Sequence, residues 1–222
     1  MTAGCGGVFV NPGSKNVSLP LGFINPAANR KVIPFDFKGA KVIFVSNTVA
    51  SLIPYGSETF GQMSGDEVHN GSESLKCVLN SNDYSGIIID AGQSYNLVKA
   101  RQEGYVLRFW IKGNKNNLPV YVALCDSKTL SHEVEVSLPL SQFKPVTRHW
   151  QLYQIPLSDF SNIGAYWNGV ANITGVPIHW NEIEEFRVID QKSGMGMYTV
   201  YVNEVAISPP LKESSDGKVG AS

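Results

Sequence analysis

Cysteine is scarce in this chain. Three among 222 residues, Cys5, Cys77 and Cys125, are too few and too widely spaced for a disulfide framework or a zinc cluster. Charge is thin as well. Only 17% of residues are Asp, Glu, Lys or Arg, and eighteen basic against nineteen acidic residues leave a formal charge of −1. The bulk balance therefore draws the chain neither to nucleic acid nor to an anionic membrane, and a polyanionic partner would need a local basic patch. No apolar run reaches the roughly 18 residues of a membrane-crossing helix. Internal repeats and amphipathic helices are missing too.

Catalytic signatures are equally lacking. There is no G-x-S-x-G elbow, no H-E-x-x-H, no P-loop and no G-x-G-x-x-G opening a helix. The four histidines, His69, His132, His149 and His179, are scattered without ligand spacing. Glu182, Glu184 and Glu185 cluster, and Glu133 and Glu135 share one strand face, which reads first as solvated acidic surface. A pair of these carboxylates could serve a hydrolase, and that alternative stays open.

What is present is strand and turn. Alternating or apolar runs cover Val32–Phe37, Lys41–Val45, Ser74–Leu79, Gly86–Ile89, Tyr105–Lys112, Val120–Leu124, His132–Leu138, Trp150–Ile155, Phe186–Ile189 and Met197–Ile207. Asn70-Gly71, Gly113-Asn114, Asn168-Gly169 and Ser193-Gly194 supply residues that tolerate positive φ, as tight reversals need. About ten short strands without helices between them imply an all-β sandwich of two packed antiparallel sheets. Residues 1–30, with Pro12, Pro20 and Pro26, read as an extended lead-in, 31–208 as the folded domain, and 209–222 as a polar disordered tail. Ser161 to Trp180 reads as a long, poorly periodic loop carrying Tyr166, Trp167 and Trp180.

The non-core sides of several strands carry rings and planar donors. Arg108, Trp110 and Lys112 share a face, Tyr121 alternates out of phase with Val120 and Val122, and Arg187 and Gln191 oppose Phe186 and Val188. Aromatic rings stack on the apolar C–H faces of sugars, while Arg and Gln satisfy hydroxyls. Trp110, Arg108, Tyr121, Arg187 and Gln191, with Tyr166, Trp167 and Trp180 from the long loop, are therefore the expected glycan contacts. Cys77, in phase with Leu75 and Leu79, reads as a small buried hydrophobe, and a Cys77–Cys125 disulfide is compatible with export.

Five stretches in one order carry a resemblance: Asn70-Gly-Ser-Glu-Ser-Leu-Lys76, Gly104-Tyr-Val-Leu-Arg-Phe-Trp-Ile-Lys-Gly113, Trp150 to Phe160, Ile183-Glu-Glu-Phe-Arg-Val188 and Tyr198-Thr-Val-Tyr-Val-Asn-Glu-Val205. Over about residues 32–208 the chain resembles the β-jelly-roll carbohydrate-binding modules of families 11 and 30, and more distantly families 4 and 22. The resemblance implies a jelly roll whose concave sheet binds a β-glucan or similar plant or algal polysaccharide, without catalysis, attached to or acting with glycoside hydrolases. It also implies a structural calcium ion, held here by Asp36, a carbonyl near Ser72, and Asn203 or Glu204. Asn203-Glu204 stands where the family carries Asp-Asp. An enzyme or a protein-interaction domain on the same scaffold remains the alternative. Thr2-Ala-Gly-Cys5 is similar to the end of a bacterial lipoprotein signal, which implies export and a lipid anchor at Cys5.

Overall fold

Period-two patterning produces fourteen strands, with one short α-helix and two single-turn 3-10 helices, in the computed structural model, which describes residues 32–34, 41–44, 51–126 and 132–210. Cys5 and Asp36, the lead-in and all but the first two tail residues lie outside the described residues. The strands are β1 (Val32–Pro34), β2 (Lys41–Phe44), β3 (Ser51–Tyr55), β4 (Phe60–Ser64), β5 (Ser74–Asn80), β6 (Tyr84–Asn96), β7 (Val106–Gly113) and β8 (Val120–Asp126). After them come β9 (Glu135–Pro139), β10 (Gln151–Pro156), β11 (Ile163–Trp167), β12 (Asn172–Pro177), β13 (Ile183–Gln191) and β14 (Met197–Ser208).

They form two sheets. One has eight strands in the order β1-β6-β13-β8-β9-β11-β12, with β3 also pairing β6; the other has six, β10-β7-β14-β5-β4, with β2 pairing β14. All pairings are antiparallel except β1 against β6. This is the β-sandwich expected from the strand pattern. The core lies between the sheets, where Phe109 of the six-stranded sheet stacks on Tyr153 and meets Phe186 of the eight-stranded sheet at 5.7 Å. Each of these three rings is 1% exposed or less, so together they remove several hundred Å² of apolar surface from water.

Three expectations change. β3 and β4 have no clean alternation and escape a pattern search, because β3 carries Pro54 and β4 is an edge strand with Gly61 and Gln62 facing out or half-exposed. The long loop is a hairpin instead: β11 and β12 pair from Ile163↔Pro177 to Trp167↔Asn172 across a bulge, extending the eight-stranded sheet. Asn168 closes its tip by accepting from the backbone N–H groups of Val170 and Ala171. Cys77 is a free, buried thiol on β5, so the Cys77–Cys125 bond is not made; burial alone pushes its thiol far up.

Candidate carbohydrate-binding face

Strand register decides which candidate residues can act together. Trp110 and Arg108 sit on β7 of the six-stranded sheet, whereas Tyr121, Arg187 and Gln191 sit on β8 and β13 of the eight-stranded sheet. The single platform expected from the sequence is therefore divided between two sheets. Both sets point away from the core, so they lie on opposite sides of the sandwich.

On the six-stranded side the β4–β5 loop covers the surface. His69 stacks on Trp110 at 3.7 Å and meets Trp150 edge-on at 5.7 Å. Lys112 pairs with Glu67 and Lys76 with Asp66, tying the same loop down on both flanks. Trp110 is thus roofed by His69, not by the β11–β12 hairpin. Asn203 anchors the loop's far end: its Nδ2 donates to the carbonyls of Asn70 and Glu73, while Asn70 Nδ2 donates to Glu204 Oε1. Ser72 is exposed nearby. Asn203 Oδ1 is buried there without a hydrogen-bond partner. Two carbonyls, that orphan oxygen and the Glu204 carboxylate are oxygens of the hard kind calcium takes, so the donor types fit; the carbonyls and Glu204 here accept from amide N–H groups, and no group of three or more His, Cys, Asp or Glu placed to hold a metal ion occurs among the described residues.

The outer face of the eight-stranded sheet has a different character. One row across it reads Tyr55, Gly86, Ile189, Tyr121 and Pro139, and Tyr84 pairs with Gln191 one step further along. Tyr55 lies flat on the sheet because Gly86 has no side chain. A Cβ there would stand 2.4 Å from the Tyr55 hydroxyl. Tyr55 and Tyr84 stack at 5.8 Å, 25° from parallel. Gln191 Nε2 donates to Ser137 Oγ. Strands β6 and β9 are three strand spacings apart, roughly 14 Å on a flat sheet. Tyr84 also lies six residues along β6 from Asp90, whose row runs through Glu185 and Cys125 to Glu135, yet it reaches Glu135 Oε1 at 3.4 Å, which requires the sheet to twist and curl toward this face. The face is concave along that diagonal.

Beneath the tyrosines lies a buried cluster of charge. Arg187, 2% exposed, donates through Nε to Glu185 Oε2 at 2.8 Å and through Nη2 to Glu133 Oε2 at 3.0 Å, and its Nη1 is 3.5 Å from Glu135 Oε2. Nη2 also donates to Glu185. Loss of hydration lowers the guanidinium's proton affinity, but Glu185, Glu135 and Glu133 outweigh it and the net shift is upward. Burial pushes Glu135 up to about 7, against the pull of Arg187 and with Glu185 and Glu133 adding to the rise. Burial, and then Glu135, likewise hold the Tyr55 and Tyr84 hydroxyls neutral. Of the acidic residues expected as solvated surface, Glu133, Glu135 and Glu185 are therefore interior, paired with Arg187, Glu184 is buried with Ser94 Oγ as a donor, and Glu182 is half-buried. The legible signal was the shared phase of Glu185 with Arg187 on β13 and of Glu133 with Glu135 at the entry to β9.

The remaining candidates separate. Trp167 shares the concave side with Ala165, which pairs with Glu135, while Tyr166 alternates to the other side and stacks on His132 at 3.9 Å. Trp180 is a core residue, 8% exposed, with Nε1 donating to Asn162 and Arg101 over its ring. Its burial removes it from any ligand surface. Arg187 is likewise too enclosed to meet a ligand directly. Sequence reasoning missed Tyr55 and Tyr84, which lie in or beside strands without strong alternation.

The family of carbohydrate-binding domain 30 matches residues 33–209. The chain belongs to carbohydrate-binding module family 30. The module binds carbohydrate and is not itself an enzyme. Its fold is similar to the family 30 module of a cellulosomal cellulase of Clostridium thermocellum, 17% identical, with 77% of this chain and 97% of that one covered and a TM-score of 0.60. It is also similar to the family 11 module of Clostridium thermocellum in complex with a β-1,3-1,4-mixed-linked tetrasaccharide, 11% identical, covering 79% of this chain and 98% of that one, with a TM-score of 0.54. No curated protein sequence matches the chain. No helix among the described residues is long and apolar enough to cross a membrane.

Proposed function

We propose that the module binds a β-glucan chain, or a similar plant or algal polysaccharide, along the concave outer face of the eight-stranded sheet. The observation that carries this is the set of tyrosines Tyr55, Tyr84 and Tyr121 on one curled face, with hydrogen-bonding Gln191 between them. Tyr55 and Tyr121 are three strand spacings apart, roughly 14 Å, which suits several consecutive sugars. The tyrosine rings take the apolar sugar faces, and Gln191, the Tyr121 hydroxyl and Trp167 at the hairpin end orient the chain. The sheet supplies the rings already ordered, so little conformational entropy is lost on binding. Affinity is expected in the micromolar to sub-millimolar range, on the order of −4 to −8 kcal/mol.

Calorimetry and affinity electrophoresis against soluble β-glucans, mannan, xylan and pectin test the reading. Tyr121→Ala should weaken binding about tenfold with little change in melting temperature, while Trp110→Ala on the opposite sheet should lower the melting temperature and leave binding intact. The reverse pattern would move the site to the six-stranded sheet. We further propose that calcium, where bound, is held by Asn203, Glu204 and the carbonyls of Asn70 and Glu73 and pins the β4–β5 loop. Export, a lipid anchor at Cys5 and partnership with glycoside hydrolases belong to the same reading; loss of fatty-acid incorporation in Cys5→Ala checks the anchor.

A further inference from the structure

Three carboxylates around one guanidinium make an expensive cluster to bury. Each charge loses its hydration, and a single cation cannot neutralise three anions, so packing alone gives no reason to retain them. The cluster connects to the face above it through the hydrogen bond from Tyr84 to Glu135. Tyr84 in turn stacks on Tyr55, which Gly86 allows to lie against the sheet. The chain of contacts runs from Arg187 through Glu135 to the two rings.

We propose that Arg187, Glu133, Glu135 and Glu185 are positioning residues for the tyrosine platform, and that glycan affinity therefore follows the ionisation of Glu135. This rests on the reading that the tyrosine face is the glycan-binding face. When Glu135 is ionised, Arg187 holds it from one side and its other oxygen accepts a charge-assisted hydrogen bond from Tyr84, the stronger kind. When it takes up a proton, the attraction to Arg187 is lost and Tyr84 faces a neutral acceptor. The ring then samples more orientations and pays more to be ordered by the ligand.

The surroundings favour such a change near neutral pH. From β13 Glu135 faces Arg187 and Glu185; from its own side, Glu133; from β6, Tyr84, with Asp90 in the same row as Glu185; from β3, Tyr55. β8 contributes Ala123 and Cys125 and β11 contributes Ala165, none of them charged. Burial first, then the two neighbouring carboxylates, raise Glu135 to about 7 against Arg187.

The test is calorimetric titration of the full chain with soluble mixed-linkage β-1,3-1,4-glucan at several pH values from 5.5 to 8. Affinity of the unaltered chain should rise about three- to tenfold across this range, while thermal stability falls over the same interval. A merely structural role would move both in the same direction. Glu135→Gln, which keeps the shape and an acceptor oxygen, and Tyr84→Phe, which removes only the hydroxyl, should each flatten the affinity profile. A flat profile in the unaltered chain, or a rise with pH that persists in both variants, overturns the proposal even where Tyr121→Ala weakens binding. Unchanged binding in Tyr121→Ala overturns the platform itself, and the role of the cage with it.

Discussion

Arg187 shows how a residue's partners change its meaning. As a sequence letter opposite Phe186 it reads as a sugar-binding donor; in the fold it is 2% exposed and its donors are spent on Glu185, Glu133 and Glu135. Glu135 carries a stability consequence that can be measured. Its folded value of about 7 lies above the ordinary 4.5, so between these values the folded state binds more protons than the unfolded one. The contribution of Glu135 to stability is therefore greatest below about pH 4.5, falls as pH rises toward 7, and is level above that. By the rule of about 1.4 kcal/mol per pH unit the whole change is on the order of 3 kcal/mol. Urea denaturation at pH 5, 6, 7 and 8 should show this decline, and Glu135→Gln should remove most of it. Trp110 and Trp180 were legible as aromatic residues, but their exposure was not, since His69 and Arg101 come from segments remote in sequence.

At the scale of the element, the strongest alternating runs, such as Tyr105–Lys112 and Met197–Ile207, appear as β7 and β14 with shifted ends. β3, β4 and the β11–β12 hairpin did not show in the pattern, because edge position and bulges relax the demand for alternation. β3 matters most, since it delivers Tyr55. Its pairing with β6 puts Tyr55 directly over Gly86, and Gly86→Ala should push the ring off the sheet by clash with the new methyl. A three- to tenfold loss of glucan affinity is expected, with melting lowered by a few degrees, read by calorimetry and a thermal scan. Unchanged affinity would show that Tyr55 is not part of the platform. Asn203 marks another element-level device: its amide fastens the β4–β5 loop where β14 bulges between Asn203 and Ala206.

For the whole molecule, the two faces divide labour. The six-stranded sheet wears a loop held by Lys76, Lys112, Trp110 and Asn203, whereas the eight-stranded sheet leaves a tyrosine-lined concavity. If calcium pins that loop, chelation should lower the melting temperature and added calcium restore it, because a ligand of the folded state alone stabilises by about 2.7 kcal/mol at a hundredfold excess over its dissociation constant. Equal melting with and without chelator would show that Asn203's amide holds the loop unaided. The sequence by itself determined the all-β class, most of the strands and the family, because alternation and turn chemistry act locally and survive without tertiary information. Only the tertiary structure decided which rings share a face. That depends on strand order, which puts Arg108 and Trp110 on one sheet and Tyr121 and Arg187 on the other, and on a twist that carries Tyr84 across three strands to Glu135.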